Sequence, residues 1–355
     1  MKHILVIKIG SQVLMNEKRD FDSDVIRQVA EDVNILRKKW YHCVIVSSGA
    51  CALGKNILKN HDQSTLTNQV TASIWQPFLM KVYQEIFSQY DMIVGQALLT
   101  RFDFSNKNTY ASIQSVLQKQ CELGIIPIIN ENDVVANDEI IFSDNDQLAA
   151  FVAIMLGAQK LILLSNIKWL HTHHPDEGGE IVHHVEQIDD TVFGYVSKKK
   201  SSFGRGGMYS KLISAQTATY SGIDVVLWDG KRPHVIRDII DNETVGTAFH
   251  KNPVSRKKTQ MESWIQAGAL PKGKIIVNAC LSDLLRQKKR LSILEIGILE
   301  AHGDFEVGDL LEVCDTDGKV LGKWLARISR KEFKKYKTNE KSQVVIHANY
   351  FVYIK

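Results

Sequence analysis

A succession of short, almost wholly apolar runs separated by segments of helical periodicity constrains this chain more than any other feature. The runs cover residues 4–7, 43–46, 92–99, 125–129, 160–164 and 223–227. Several are rich in β-branched residues and show no alternation, the pattern of strands buried on both faces of a parallel sheet. Helical spacing predicts helices over 22–40, 51–58, 68–89, 107–123, 147–156, 211–220 and 233–239. In the first, Val25, Ile26, Val29, Val33 and Leu36 form a stripe suited to covering a sheet. In the third, Val70, Ile74, Phe78 and Val82 share a face. The fold class expected is α/β, a mostly parallel sheet sandwiched by helices. In such sheets ligands sit beyond the carboxyl ends of strands, where Lys8, Ser48 and residues 130–133 all fall.

The pattern changes near the carboxyl end. Residues 252–258 are polar and basic, and from Lys274 short strands follow at 275–277, 293–294, 296–299, 310–313, 320–324, 344–347 and 350–354. Gly303-Asp304, Gly308-Asp309 and Asp317-Gly318 mark turns between them. The expected organisation is a first domain over 1–251, a linker over 252–270 and a small β-rich domain over 271–355. That last domain carries 16 Lys+Arg against 11 Asp+Glu, a net of +5, leaving −1 for the rest of a chain whose total is +4. A basic domain hints at an anionic partner; a lysine-rich solvated surface gives the same count. The five cysteines form no C-x-x-C pair, which fits reduced thiols better than a disulfide framework. The first apolar run is too short for a signal peptide, and the longest, 148–156, is far short of a membrane span. The cytoplasm is the expected location.

The chemistry concentrates at strand ends. The run 125–129 delivers Asn130-Glu131-Asn132-Asp133, and Asp144-Asn145-Asp146 opens an apolar helix. Helix capping explains one acid there; two acids and an amide exceed that need. Lys8 ends the first run and is costly to bury without an anion. Small residues in Ser47-Ser48-Gly49-Ala50 leave backbone N–H groups for an anion. Gly204-Arg205-Gly206-Gly207, followed by Lys211 in a helix's first turns, suits close approach to polyphosphate, although it is not G-x-x-x-x-G-K-[ST]. His171, His173, His174, His183 and His184 share one polar loop, but lack the spacing of a metal site, and no metal ligands are assigned.

Taken in order, K-I-G-S, V-S-S-G-A, I-I-N-E-N-D, S-D-N-D and R-G-G-M-Y-S-K resemble the amino-acid kinase family over essentially the whole chain. The β-rich tail is similar to a PUA domain. Within the family, I-N-E-N-D followed by D-N-D resembles the branch acting on L-glutamate. The resemblance implies transfer of the ATP γ-phosphoryl, with Mg²⁺, to the γ-carboxylate of L-glutamate. By resemblance, Lys8 and Lys211 flank the phosphoryl group and Asp146 holds both lysines. Gly10 and Gly49 offer N–H groups to phosphate. Ser48, Asp133 and Asn145 bind glutamate. Ser165, Asn166, Arg205, Gly206, Gly207, Met208, Tyr209, Ser210 and Lys211 line the nucleotide. The same resemblance suggests a homo-oligomer and L-proline as an inhibitor. The alternatives are a different acidic acceptor, or an RNA-binding protein retaining a degenerate kinase domain. Gln12, Trp75, Ser165-Asn166 and Trp169 depart from the family's usual residues.

Overall fold

The computed structural model describes residues 3–18, 20–48, 64–135, 144–173, 178–196, 207–241, 246–252, 262, 264–265, 271–287, 292–336, 344–346 and 351–353. The chain divides into two compact units, residues 1–103 with 108–257, and residues 258–355 with 104–107.

The first unit begins β1 (His3–Ile9), α1 (Ser23–Lys38), β2 (Tyr41–Val46), α2 (Thr65–Ser88) and β3 (Val94–Leu99). Then come α3 (Arg101–Ser105) and α4 (Lys107–Glu122), of which residues 104–107 count with the second unit, followed by β4 (Ile126–Glu131), α5 (Asn145–Leu156) and β5 (Lys160–Ser165). A small ribbon follows, β6 (Leu170–His171) against β7 (Ile181–Val182), then β8 (His184–Val185) and α6 (Asp190–Gly194). The unit closes with α7 (Met208–Tyr220), β9 (Asp224–Asp229), α8 (Val235–Ile240) and β10 (Thr247–Phe249). The eight-stranded sheet has the order β3-β4-β2-β1-β5-β9-β10-β8. Its pairs from β3 to β9 are parallel, and β10 runs antiparallel to β9. β1 lies centrally, and Leu5, Val6, Ile7 and Ile9 are wholly buried, as a strand covered on both faces requires.

Two helices set the site. α5 is apolar nearly all round and correspondingly buried between β1 and α7. Asp144 caps its N-terminus, accepting from the amides of Asp146 and Gln147 at 2.9 and 3.1 Å. Gly157 ends it at φ 61°, a left-handed cap that lets its amide close on the helix carbonyls. α2 carries apolar residues on two sides. Ala72, Trp75, Leu79, Tyr83, Ile86 and Phe87 meet the core, whereas Val70, Ile74 and Phe78 are exposed. Of the stripe legible from spacing, Val70, Ile74 and Phe78 thus face outward, whereas Val82 packs against the core.

The second unit contains β11 (Gly273–Val277), α9 (Ala279–Arg286), β12 (Ile293–Leu294), β13 (Ile298–Gly303), β14 (Leu310–Cys314) and β15 (Val320–Leu325). It ends with α10 (Arg330–Tyr336), β16 (Val344–Ile346) and β17 (Phe351–Tyr353). Its five-stranded sheet has the order β13-β11-β14-β15-β17, and β12 pairs with β16. Ile275, Val277, Phe305, Val313 and Trp324 fill the core. Within the stretch expected as a linker, Glu262, Trp264 and Ile265 are helical and buried, and the Trp264 indole donates to the carbonyl of Phe104, another residue of this unit. Apolar burial, not a solvated tether, explains those residues. The helix expected at 51–58 lies outside the described residues. Cys43, Cys121, Cys280 and Cys314 are free thiols. No helix among the described residues is long and apolar enough to cross a membrane.

Candidate active site

β1, β2 and β4 end side by side, and α5 starts above them. Asp146, in the first turn of α5, reaches the end of β1, where its Oδ1 lies 2.5 Å from Lys8 Nζ. Its Oδ2 lies 2.8 Å from Nζ of Lys211, in the first turns of α7. All three side chains are buried, with exposures of 5% for Lys8, 1% for Asp146 and 8% for Lys211. Burial by itself raises the Asp146 pKa, but the ammonium groups of Lys211 and Lys8 outweigh it and hold the carboxyl well below the usual carboxylate range. Burial and the like charge of Lys211 lower Lys8 despite Asp146. Lys211 also pays desolvation, yet Asp146 raises it above an ordinary lysine. One carboxylate therefore serves two ammonium groups, and the set has one positive charge left over.

Asp144 is raised by burial and by Asp146. Its Oδ1 faces the α5 amides and its Oδ2 accepts from Ser210 Oγ, so it ties the start of α5 to the start of α7. Gly207 is the N-cap of α7 and supplies no side-chain cap, leaving a helix N-terminus suited to an anion.

Sheet order separates the two flanks of Lys8. On the β2–β4 side, Ser48 Oγ donates to the carbonyl of Ile9 at 2.8 Å. Asn145 donates to the carbonyl of Ser47 at 2.6 Å and to Asn130 Oδ1 at 2.8 Å. Asp133 lies half-buried in the turn after β4. On the β5–β9 side, Ser165 ends β5, and the amide of Asn166 donates to Gln12 in the loop after β1. The Trp169 ring meets Trp228 edge-on at 4.3 Å, and the Arg232 guanidinium lies 5.9 Å from the Trp228 centroid. Several departures from the family pattern thus contact one another or pack internally: Asn166 with Gln12, and Trp75 with Phe21 and Phe78.

The backbone N–H of Gly10 donates to the carbonyl of Leu164 at 3.0 Å, so this amide is committed to the sheet and is not offered to a phosphate. Gly10 instead permits close packing, because a Cβ there would come 3.2 Å from that carbonyl oxygen. Gly49, Arg205 and Gly206 lie outside the described residues. Gly207, Met208, Tyr209, Ser210 and Lys211 are gathered at the start of α7, with Tyr209 exposed against Phe193. Asn130 and Asp144 lie in the two polar clusters legible in the sequence but had no individual role there, and Gln76 is the network residue that the sequence did not point to. No group of three or more His, Cys, Asp or Glu able to hold a metal occurs among the described residues.

Two buried lysines on one carboxylate, beside the N-terminus of α7 and between two distinct flanks, suit phosphoryl transfer. The amino acid kinase family model matches residues 3–229, and the PUA domain model matches 273–348. The chain belongs to the amino acid kinase family. Among its relatives, the glutamate 5-kinase of Bacteroides thetaiotaomicron is 32% identical over 98% of this chain and 97% of its own length. The glutamate 5-kinase of Meiothermus ruber is 35% identical over 98% of this chain and 94% of its own. Among solved structures, carbamate kinase from Giardia lamblia bound to AMP-PNP covers 70% of this chain and 99% of its own at 15% identity, with a TM-score of 0.51. Isopentenyl phosphate kinase covers 70% and 100% at 14% identity, also with a TM-score of 0.51. Those two likenesses concern the fold alone.

Proposed function

We propose that this protein transfers the γ-phosphoryl group of ATP to the γ-carboxylate of L-glutamate, forming glutamyl 5-phosphate and ADP, the first step of proline synthesis. The observation that carries the chemistry is the Lys8–Asp146–Lys211 set, with its surplus positive charge at the mouth of a parallel sheet. Near-full-length similarity to glutamate 5-kinases supports the choice of acceptor.

A γ-carboxylate oxygen attacks the γ-phosphorus, and the bond to the β–γ bridging oxygen breaks, leaving ADP. The acceptor is already ionised at neutral pH, so no general base is needed. The protein's task is alignment and charge stabilisation. Lys8 and Lys211 offset charge on the moving phosphoryl group, and Asp146 orients both. Ser48, Asp133 and Asn145 take the acceptor on the β2–β4 side, with Asp133 facing the α-ammonium. Ser165, Asn166 and the start of α7 take the nucleotide. The Asp146 carboxylate is already occupied by two lysines. Mg²⁺ does not fit these residues as a protein-caged ion; it accompanies ATP on the phosphate oxygens, as this cation commonly does.

The test is turnover of Mg·ATP by the purified protein with L-glutamate and hydroxylamine, which traps an acyl phosphate as its hydroxamate, beside a parallel sample with L-aspartate. Hydroxamate from glutamate alone is the expected result. Hydroxamate from aspartate in preference, or from neither, rejects the reading.

A further inference from the structure

Gln76, on α2, is 9% exposed and joins the acceptor flank through a chain of amides. Backbone groups, which have no flipped alternative, fix the direction of every link. The N–H of Glu131 donates to Asn130 Oδ1 at 2.9 Å, so that atom is the oxygen. The carbonyl of Ser47 accepts from Asn145 at 2.6 Å, so the donor there is the Asn145 nitrogen, which also donates to Asn130 Oδ1 at 2.8 Å. Asn130 must then turn its nitrogen to Gln76, whose Oε1 accepts at 2.7 Å. Gln76 Nε2 is consequently a donor directed away from Asn130, buried and without a hydrogen-bond partner among the described residues.

A buried amide donor left unpaired is costly, and buried polar groups are rarely left so. A ligand oxygen at the acceptor flank can supply the missing acceptor. Sheet order decides which ligand. Ser47 follows β2 and Asn130 lies in β4, on the opposite side of β1 from Ser165 and Trp228. The phosphoryl group belongs at Lys8 and Lys211, between the flanks. We infer that Gln76 Nε2 binds a carboxylate oxygen of the amino-acid acceptor, and that Gln76, acting through Asn130, also sets the orientation of Asn145. This assignment rests on the proposed function and adds a recognition and positioning residue to it.

The test compares the parent with Gln76→Met, which keeps much of the volume and removes both polar atoms, and Gln76→Glu, which keeps the shape and replaces the donor by an acceptor. Circular dichroism and thermal unfolding establish that each variant is folded. Steady-state kinetics are read together with calorimetric titration of L-glutamate into nucleotide-free protein. Losing a hydrogen bond to a charged group raises the KM and Kd for glutamate roughly 10- to 100-fold in Gln76→Met. Gln76→Glu is affected more, because it sets carboxylate against carboxylate. The KM for ATP changes less than about two-fold, because Nε2 touches only the acceptor. A folded Gln76→Met or Gln76→Glu with parental glutamate affinity overturns the assignment and leaves a buried water as the partner of Nε2. Equal weakening of glutamate and ATP also overturns it. Hydroxamate formation by the parent decides the function separately, so the function stands if only the Gln76 variants behave otherwise. A parent that neither binds glutamate nor forms hydroxamate removes both.

Discussion

Replacing Asp146 by Asn keeps the shape of the side chain and deletes the one charge that two buried ammonium groups share. The contacts are 2.5 Å to Lys8 and 2.8 Å to Lys211. With an effective dielectric near 20, each such contact attracts by roughly 6 kcal/mol, much of it offset by desolvation. Breaking a buried pair by removing one partner typically costs about 3–5 kcal/mol. For a unit of this size that lowers the unfolding temperature by roughly 6–20 °C. The pH dependence has a definite sign. The folded pKa of Asp146 lies below its unfolded value, so its contribution is complete above the unfolded carboxylate pKa and is lost as pH falls through the folded one. In Asp146→Asn, Lys8 and Lys211 are buried with Asp144 as their remaining counter-charge, and their folded pKa values fall below the unfolded lysine value. The variant therefore gains stability as pH rises toward that value, and its deficit narrows in both acid and alkali. Calorimetric unfolding of the ligand-free proteins from acid to alkaline pH measures this. A deficit under about 1 kcal/mol at neutral pH, or one that does not vary with pH, would refute the claim that the three groups form one electrostatic unit.

The flanks should separate in kinetics. Lys211→Ala should lower kcat by about 100- to 1,000-fold, with a much smaller change in the KM for glutamate, if Lys211 acts on the transferring group. Asp133→Ala should show the reverse weighting, weakening glutamate far more than it slows turnover at saturation; exchanged patterns would show the roles misassigned. Ser210→Ala removes the hydroxyl that ties α7 to Asp144. It should cost about 1.5–3 kcal/mol and speed amide exchange in the first turn of α7, and unchanged exchange would mean that the contact does not hold the helix.

Most of the strands were legible because burial on both faces writes itself as unbroken apolar runs: 4–7, 43–46 and 160–164 became β1, β2 and β5 within a few residues. The turns at Gly303 and Gly318 were legible because their φ angles of 89° and 81° favour glycine. The inner face of α2 was not. Val70, Ile74 and Phe78 recur every fourth residue, and such a series drifts around a helix of 3.6 residues per turn. Ala72, Trp75, Leu79, Tyr83 and Ile86 combine steps of three and four, which holds one side, but their small and aromatic members make a weaker pattern by eye. α9 and α10 were missed as short helices among strands. At the site, Lys8, Asp146 and Lys211 were legible as charged residues at strand and helix ends. The commitment of the Gly10 amide to Leu164 was not, because it depends on how closely β5 approaches β1. Nor was the chain from Gln76 to Asn145, because residues 54, 15 and 98 positions apart meet only in the fold.

The charge arrangement has a consequence for the ligand-free protein. Asp144 directs its two oxygens at the α5 amides and at Ser210. Asp146 is therefore the closest counter-charge to Lys8 and Lys211, and the set carries a net positive charge where desolvation is already costly. An anion that enters between the lysines relieves that cost in the folded protein and has no equivalent in the unfolded chain. Nucleotide at about 100 times its Kd should then stabilise the protein by about 2.7 kcal/mol, as any ligand at that excess does. What distinguishes this site is where the affinity originates. ATP and ADP should bind far more tightly than adenosine, and in Lys211→Ala, where the surplus charge is gone, the preference for the phosphorylated ligands should shrink. Thermal shift titrations of the parent and the variant with all three ligands measure the difference. If adenosine stabilises the parent as well as ATP does, the affinity resides in the base and ribose, and the surplus charge of Lys8 and Lys211 is not what draws the nucleotide in.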